Sequence, residues 1–238
     1  MKNLSILSIL IVLVLTGCSP RYYTPNSHNV PLFSEQGETN LTLAGSATQI
    51  ELQGAYAVTN KFAVLANGGA FIPTDENNGN GGSGKFFEVG GGYFMPVSTD
   101  FVFEVYGIIG FGSVENHRPS TIQENPGTTG DISASVLRYG IQPNFGYKTK
   151  NFSVAVSSRI VNLNYNNIKG DLIYDEVAQS DYLKDNSSNF LIEPALTIKG
   201  GFDNFKLQLQ YGYSENLSNS YFRQDKSYLT LGLNYNFK

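Results

Sequence analysis

The chain has 238 residues, room for one β domain without requiring a second. Charged residues make up only 15% of it, below the usual quarter, and Gly (25), Tyr (15) and Phe (16) fill the difference, a mixture that favours strands and turns. A net charge of −4 with no basic run excludes a nucleic-acid footprint, and the single Cys excludes an internal disulfide framework or a multi-cysteine metal site.

The first element is an address. Lys2, an apolar stretch from Leu4 to Leu15, then Thr16 and Gly17 form an export signal over residues 1–17, too short and one-sided for a spanning helix. The ending Leu15-Thr16-Gly17-Cys18 resembles a lipobox, where bacterial lipoproteins are acylated on Cys and then cut. That resemblance implies that Cys18 becomes the first mature residue and carries acyl chains, each buried CH₂ adding about 0.8 kcal/mol of membrane affinity. Ser19 follows, not the Asp that resembles an inner-membrane retention signal, and no acidic cluster follows either. A lipid anchor on the periplasmic side of the outer membrane is the expectation.

Next come residues 18–37, with Pro20, Pro25 and Pro31 and no periodicity, which read as a lipidated, extended tether. From residue 38 to 238 apolar and polar residues alternate in ten stretches: about 38–46, 49–58, 61–71, 85–95, 101–113, 132–147, 151–163, 189–200, 204–213 and 227–237. The last is the plainest. Leu229, Leu231, Leu233, Tyr235 and Phe237 share one face, and Tyr228, Thr230, Gly232, Asn234 and Asn236 the other. Period two with one apolar face means half-buried strands.

A soluble sandwich alternates too, but four features favour an all-β, antiparallel up-and-down transmembrane barrel of ten strands, with eight as the smaller alternative. Short turns near Thr59-Asn60, Pro96–Asp100, Thr149–Asn151 and Gly201–Asn204 alternate with long polar loops at about 73–84, 114–131, 164–188 and 214–226, as periplasmic turns and external loops do. Only the connection at Ala47-Thr48 is short on the external side. An even strand count puts both ends of the barrel in the periplasm. Phe62, Tyr93, Phe101, Phe145, Tyr147, Phe152, Phe205, Tyr235 and Phe237 gather at the short-turn ends as an interfacial girdle. The outer parity is nearly free of charge, where a charge at the midplane would cost about 2–4 kcal/mol.

On these features the chain is similar to small outer-membrane β-barrel proteins. The lipobox followed by PNSHNVPLF, and the turn-to-strand phrases AVTNKFAVLANGG, PVSTDFVFEVYG and KTKNFSVAVS, resemble barrel lipoproteins of the Bacteroidota. The ending Asn236-Phe237-Lys238 resembles the aromatic-ended strand read by barrel-assembly machinery, with the aromatic displaced by one residue. The resemblance implies outer-membrane lipids and the barrel-assembly and lipoprotein-processing machineries as partners.

Chemistry is sparse. Glu51, Glu88, Glu104, Arg138, Arg159, Glu193 and Lys199 fall on the lumen parity, where they either grip a charged ligand or pair with one another as a plug; buried charges need partners, which favours the plug. His28 lies in the tether, and His117 in a long loop beside Glu115, Arg118 and Ser120, where it could serve a rim-located enzyme. Gly68-Gly69, Gly90-Gly91-Gly92 and Gly79–Gly84 precede no helix and are not phosphate loops. Asp175-Glu176 and Asp181 do not form a recognised Ca²⁺ cage. No catalytic residue and no cofactor is assigned. The expected function is a non-enzymatic outer-membrane barrel lipoprotein that serves structure, adhesion or interaction through its external loops, with the external partner unidentified. The alternatives are a lipid-tethered, lipocalin-like soluble barrel, whose apolar face would point inward, and the His117 enzyme.

Overall fold

The computed structural model describes residues 19–72, 79–119, 127–202 and 204–238; the leader, Cys18 and Ser120 lie outside them. Ten long strands are present: β1 (Thr39–Gly45), β2 (Gln49–Ala57), β3 (Phe62–Phe71), β4 (Gly81–Pro96), β5 (Phe101–Arg118), β6 (Gly130–Lys148), β7 (Phe152–Gly170), β10 (Ser188–Phe202), β11 (Phe205–Tyr213) and β13 (Ser227–Phe237). Each pairs antiparallel with its neighbours, β10 with β11 and β1 with β13, the last in the register Thr39↔Phe237. The ring is therefore closed: a ten-stranded up-and-down barrel, which leaves no exposed edge.

Alternation sets which way each residue points. Leu41 and Leu43, Leu207 and Leu209, and Leu229, Leu231 and Leu233 stand exposed on the outer wall, while Asn40, Thr42, Gln208, Gln210, Thr230 and Asn234 are buried inside. An apolar exterior around a polar lumen is the reverse of what a lipocalin-like barrel requires. At the short-turn end, Phe62 meets Tyr93 at 5.7 Å between ring centroids, and Phe101 meets Phe145 at 5.7 Å and Tyr147 at 5.3 Å. These pairs form the girdle expected from the sequence.

The strands run further at the long-loop end than their apolar pattern suggests. Strand β5 continues to Arg118, β6 starts at Gly130 and β7 continues to Gly170. A tilted strand crosses the hydrocarbon in about 9–11 residues, whereas β5, β6 and β7 have 18, 19 and 19. Beyond the lipid an outward side chain such as Glu115 meets water, so the alternation that marks a strand fades although the ladder persists. The first wall is short by contrast: β1 has 7 residues and turns into β2 through Ser46, whose N–H donates to the Gln49 carbonyl. Over the tall side sit a hairpin of β8 (Ile173–Tyr174) and β9 (Val177–Ala178), helix α1 (Gln179–Asp185), and β12 (Glu215–Asn216) on β10.

The largest departure concerns residues 19–37. Instead of a free tether leaving the short-turn end, residues 20–33 run through the lumen, nearly all of them buried. Phe33 packs on Phe94 at 5.7 Å, toward the short-turn end. At the other mouth Tyr22 packs on Tyr182 and Phe222, at 5.9 and 6.4 Å. Ser19 thus lies at the long-loop mouth, opposite the side from which a periplasmic lipid anchor would leave. The physical reason is in the segment's own chemistry. From Tyr22 to Phe33 it carries no Asp, Glu, Lys or Arg, so neither water nor charge repulsion holds it outside a polar cavity.

Candidate functional site

The site is the filled lumen. All seven charges assigned to the inner parity are buried there: Glu51, Glu88, Glu104, Arg138, Arg159, Glu193 and Lys199. They do not mainly pair with one another. Glu88 takes both guanidinium groups, Arg138 at 2.6 Å and Arg159 at 3.3 Å. The remaining charges hold the threaded segment.

From the short-turn end upward the contacts follow the chain in reverse. Glu104 on β5 accepts the Phe33 N–H at 2.9 Å, the Asn144 amide at 3.0 Å and the Tyr106 hydroxyl at 3.2 Å. Lys199 on β10 donates to the Val30 carbonyl, and Gln142 on β6 to that of Asn29, both at 2.8 Å. Gln210 accepts the His28 N–H at 2.6 Å, and His28 Nδ1 lies 2.7 Å from Ser157 Oγ. Glu51 on β2 accepts the Ser27 N–H with both oxygens, at 3.0 and 3.1 Å. Higher up, Arg138 donates to the Tyr23 hydroxyl at 2.8 Å, and that hydroxyl donates to Glu193 at 2.8 Å. At the mouth Tyr22 N–H reaches the Arg223 carbonyl at 2.9 Å, and Arg21 reaches the Gln224 carbonyl at 3.1 Å and Asp225 at 3.6 Å.

Arg159 is the centre of this clamp. Its side chain is fully buried and donates to Gln142 Oε1, the Asn26 carbonyl, Asn26 Oδ1, the Ser27 carbonyl and Glu88. These five contacts match the five N–H donors of a guanidinium. Two apolar stoppers flank the polar middle. Val30 and Leu32 cluster with Val102 and Ala155 below, and Tyr22 joins Leu163, Leu183 and Phe222 above. Leu32 has a positive φ of 55° where the segment bends toward β1.

Above the Glu88 cluster a cavity of about 570 Å³ opens at the long-loop mouth, bordered by Arg21, Tyr23, Asn26, Phe71, Phe86 and Arg138 among others. On the β3–β5 wall Gly110 and Gly112 leave it room.

His117 is not in a loop. It lies in β5, opposite Gly81 of β4 and Asp131 of β6, while Arg118 faces inward and is buried. Residues 81–84 of the expected glycine loop are likewise strand β4. Asp175 and Glu176 occupy the β8–β9 turn with φ of 53° and 63°, and Asp181 lies on α1 beside Lys184. The polar face of β11 puts Lys206 and Gln210 inside as its alternation predicts, and Gln53 and Gln142, which the sequence leaves unassigned, are buried in the lumen as well. The sequence reading did not find the segment 20–33 itself; its lack of charge beside Tyr22, Tyr23 and Phe33 was the available signal.

No protein-family model matches the chain, and no curated protein matches it. Among solved structures it is similar to the KdgM porin, with 10% identity, 84% of this chain and 99% of that one covered, and a TM-score of 0.38. The NanC porin aligns at 10% identity over 85% and 99% with a TM-score of 0.36, and LpxR from Salmonella typhimurium at 11% over 84% and 99% with 0.34. Such distant likenesses carry no functional argument; the class, a closed ten-stranded antiparallel barrel, rests on the strand pairing described above.

Proposed function

We propose that this protein is an outer-membrane β-barrel lipoprotein without enzymatic activity, closed to ions through its lumen and acting through its long-loop end. The observation that carries the reading is the chain's own segment 20–33, buried along the lumen and hydrogen-bonded to charged groups from β2, β5, β6, β7 and β10. A lumen occupied in this way is a structural core, not a path. The apolar outer wall supports a membrane setting, since so much exposed aliphatic surface would drive aggregation in water. An interaction role is supported by the ordered cap, where Tyr182 and Phe222 stack and Arg223 lies 4.4 Å over the Tyr174 ring, while Tyr221 and Leu217 stand exposed beside them.

Two measurements test the reading together. Purified wild-type protein in planar bilayers should show no steady conductance, and a Cys18→Ala variant should stay in the membrane after alkaline extraction. Steady porin-like current would sink the closed lumen. Release of the variant as a soluble protein would sink the integral barrel.

A further inference from the structure

The direction of the threaded segment bears on where the mature chain begins. Its contacts rise in order from Phe33–Glu104, through Ser27–Glu51 and Tyr23–Glu193, to Arg21–Asn116 and Arg21–Gln224. Asn116 lies near the end of tall strand β5, and Gln224 lies in the connection before β13, at the end away from the short turns. An extended chain advances at most about 3.3–3.6 Å per residue, so residues 33 to 20 reach about 40 Å, more than the ~30 Å hydrocarbon core. The segment has the length to cross from one face to the other, and its contacts run that way.

Ser19 and Arg21 border the same cavity as Ser46, Ala47 and Thr48, the β1–β2 turn. That turn is the lowest part of the rim. From Ser46 an apolar groove continues on the outer wall between Leu43, Ile50, Ile72, Leu231 and Leu233. A chain leaving the lumen at Ser19 therefore meets a short wall with an apolar outer surface, not the tall wall of β5–β7.

We propose that the threaded segment leaves the barrel at the long-loop face, so that the mature amino terminus ahead of Ser19, with any acyl group it carries, is delivered to that side at the β1–β2 rim. This rests on the lipoprotein and orientation readings above and replaces the periplasmic anchor expected from the lipobox resemblance. The barrel then carries its own amino terminus through the membrane.

The test uses the full chain in cells, with Ser19→Cys, Tyr221→Cys at the long-loop end and Lys61→Cys in a short turn as separate variants, each exposed to a membrane-impermeant maleimide. Mass spectrometry of the mature amino terminus of the unlabelled protein runs alongside. Expected are labelling of Ser19→Cys and Tyr221→Cys on intact cells, labelling of Lys61→Cys only after permeabilisation, and an acylated Cys18. Labelling of Tyr221→Cys with protection of Ser19→Cys would overturn the inference and leave the barrel's orientation intact. Labelling of Lys61→Cys with protection of Tyr221→Cys would overturn the orientation itself. An unacylated Cys18 would overturn the lipid anchor on either face.

Discussion

Arg159 and Glu88 meet at 3.3 Å in the middle of the lumen, and Arg138 holds the other carboxylate oxygen of Glu88 at 2.6 Å. One acid thus shares two guanidinium groups, and the second positive charge is balanced by hydrogen bonds to the threaded backbone more than by a second acid. The barrel wall and the segment inside it are one electrostatic unit.

Replacing Arg159 with Ala removes five donated bonds and leaves the Asn26 carbonyl, Asn26 Oδ1 and Gln142 Oε1 without their donor, while the Ser27 carbonyl keeps the Gln53 amide. Breaking a buried pair in this way is expected to lower stability by about 3–5 kcal/mol. The heat-induced mobility shift of the folded barrel on gels should move to a clearly lower temperature. Arg159→Lys should recover only part of the loss, because three ammonium donors cannot reach five acceptors. An unchanged transition in Arg159→Ala would mean that the clamp contributes nothing.

Replacing residues 22–29 by a Gly/Ser segment of equal length should open the lumen. The replacement keeps the chain connected but removes the Tyr23 hydroxyl, the Asn26 amide and the His28 ring from their partners. Single-channel recordings should change from silence to steady or flickering current. Continued silence would show that the wall side chains close the lumen alone, as the charge pattern first suggested.

Gly146 marks where the wall makes room for the segment. A Cβ there would lie 2.7 Å from Leu32 Cδ1 and 2.9 Å from the Ala155 Cβ. Gly146→Val is therefore expected to push Leu32 from its place beside Val102 and Ala155, with an overpacking penalty of about 1–3 kcal/mol. Limited proteolysis near Ser34 should accelerate in this variant, and resistance equal to wild type would count against the packing described.

Most of the barrel was legible in the sequence. Alternation in Phe205–Tyr213 and Ser227–Phe237 set which residues face lipid, and the same parity brought Arg138, Arg159 and Glu88 to the inner face. Two things were not. The upper ends of β5–β7 turn polar residues such as Glu115 and Asn166 to water on the outer face while Asn116, Arg118 and Tyr165 are buried inward, so no apolar outer period betrays a strand there. The segment 20–33 has no repeat because it pairs with no regular neighbour: its partners are single side chains on many strands, and Pro25 and Pro31 look the same in a tether as in a lumen.

An exposed counterpart calibrates these effects. Lys148 and Glu38 form a 3.1 Å ion pair at the short-turn end, with both side chains partly solvated. Glu38→Gln should change stability by less than about 1 kcal/mol, because solvent screens the pair. A loss as large as that of Arg159→Ala would contradict the ranking of buried over exposed contacts.

The threaded segment also orders events in time. Tyr22 and Tyr23 precede every barrel strand in the chain, yet they contact Arg223 and Gln224, and Ser27 meets Thr230 across 203 residues. Contacts so distant along the chain form only after a large entropic loss from closing the loop between them. The first residues of the fold to be synthesised are thus among the last to be satisfied. Until β13 joins β1 they have no complete set of partners, and the ring must close around them as it forms.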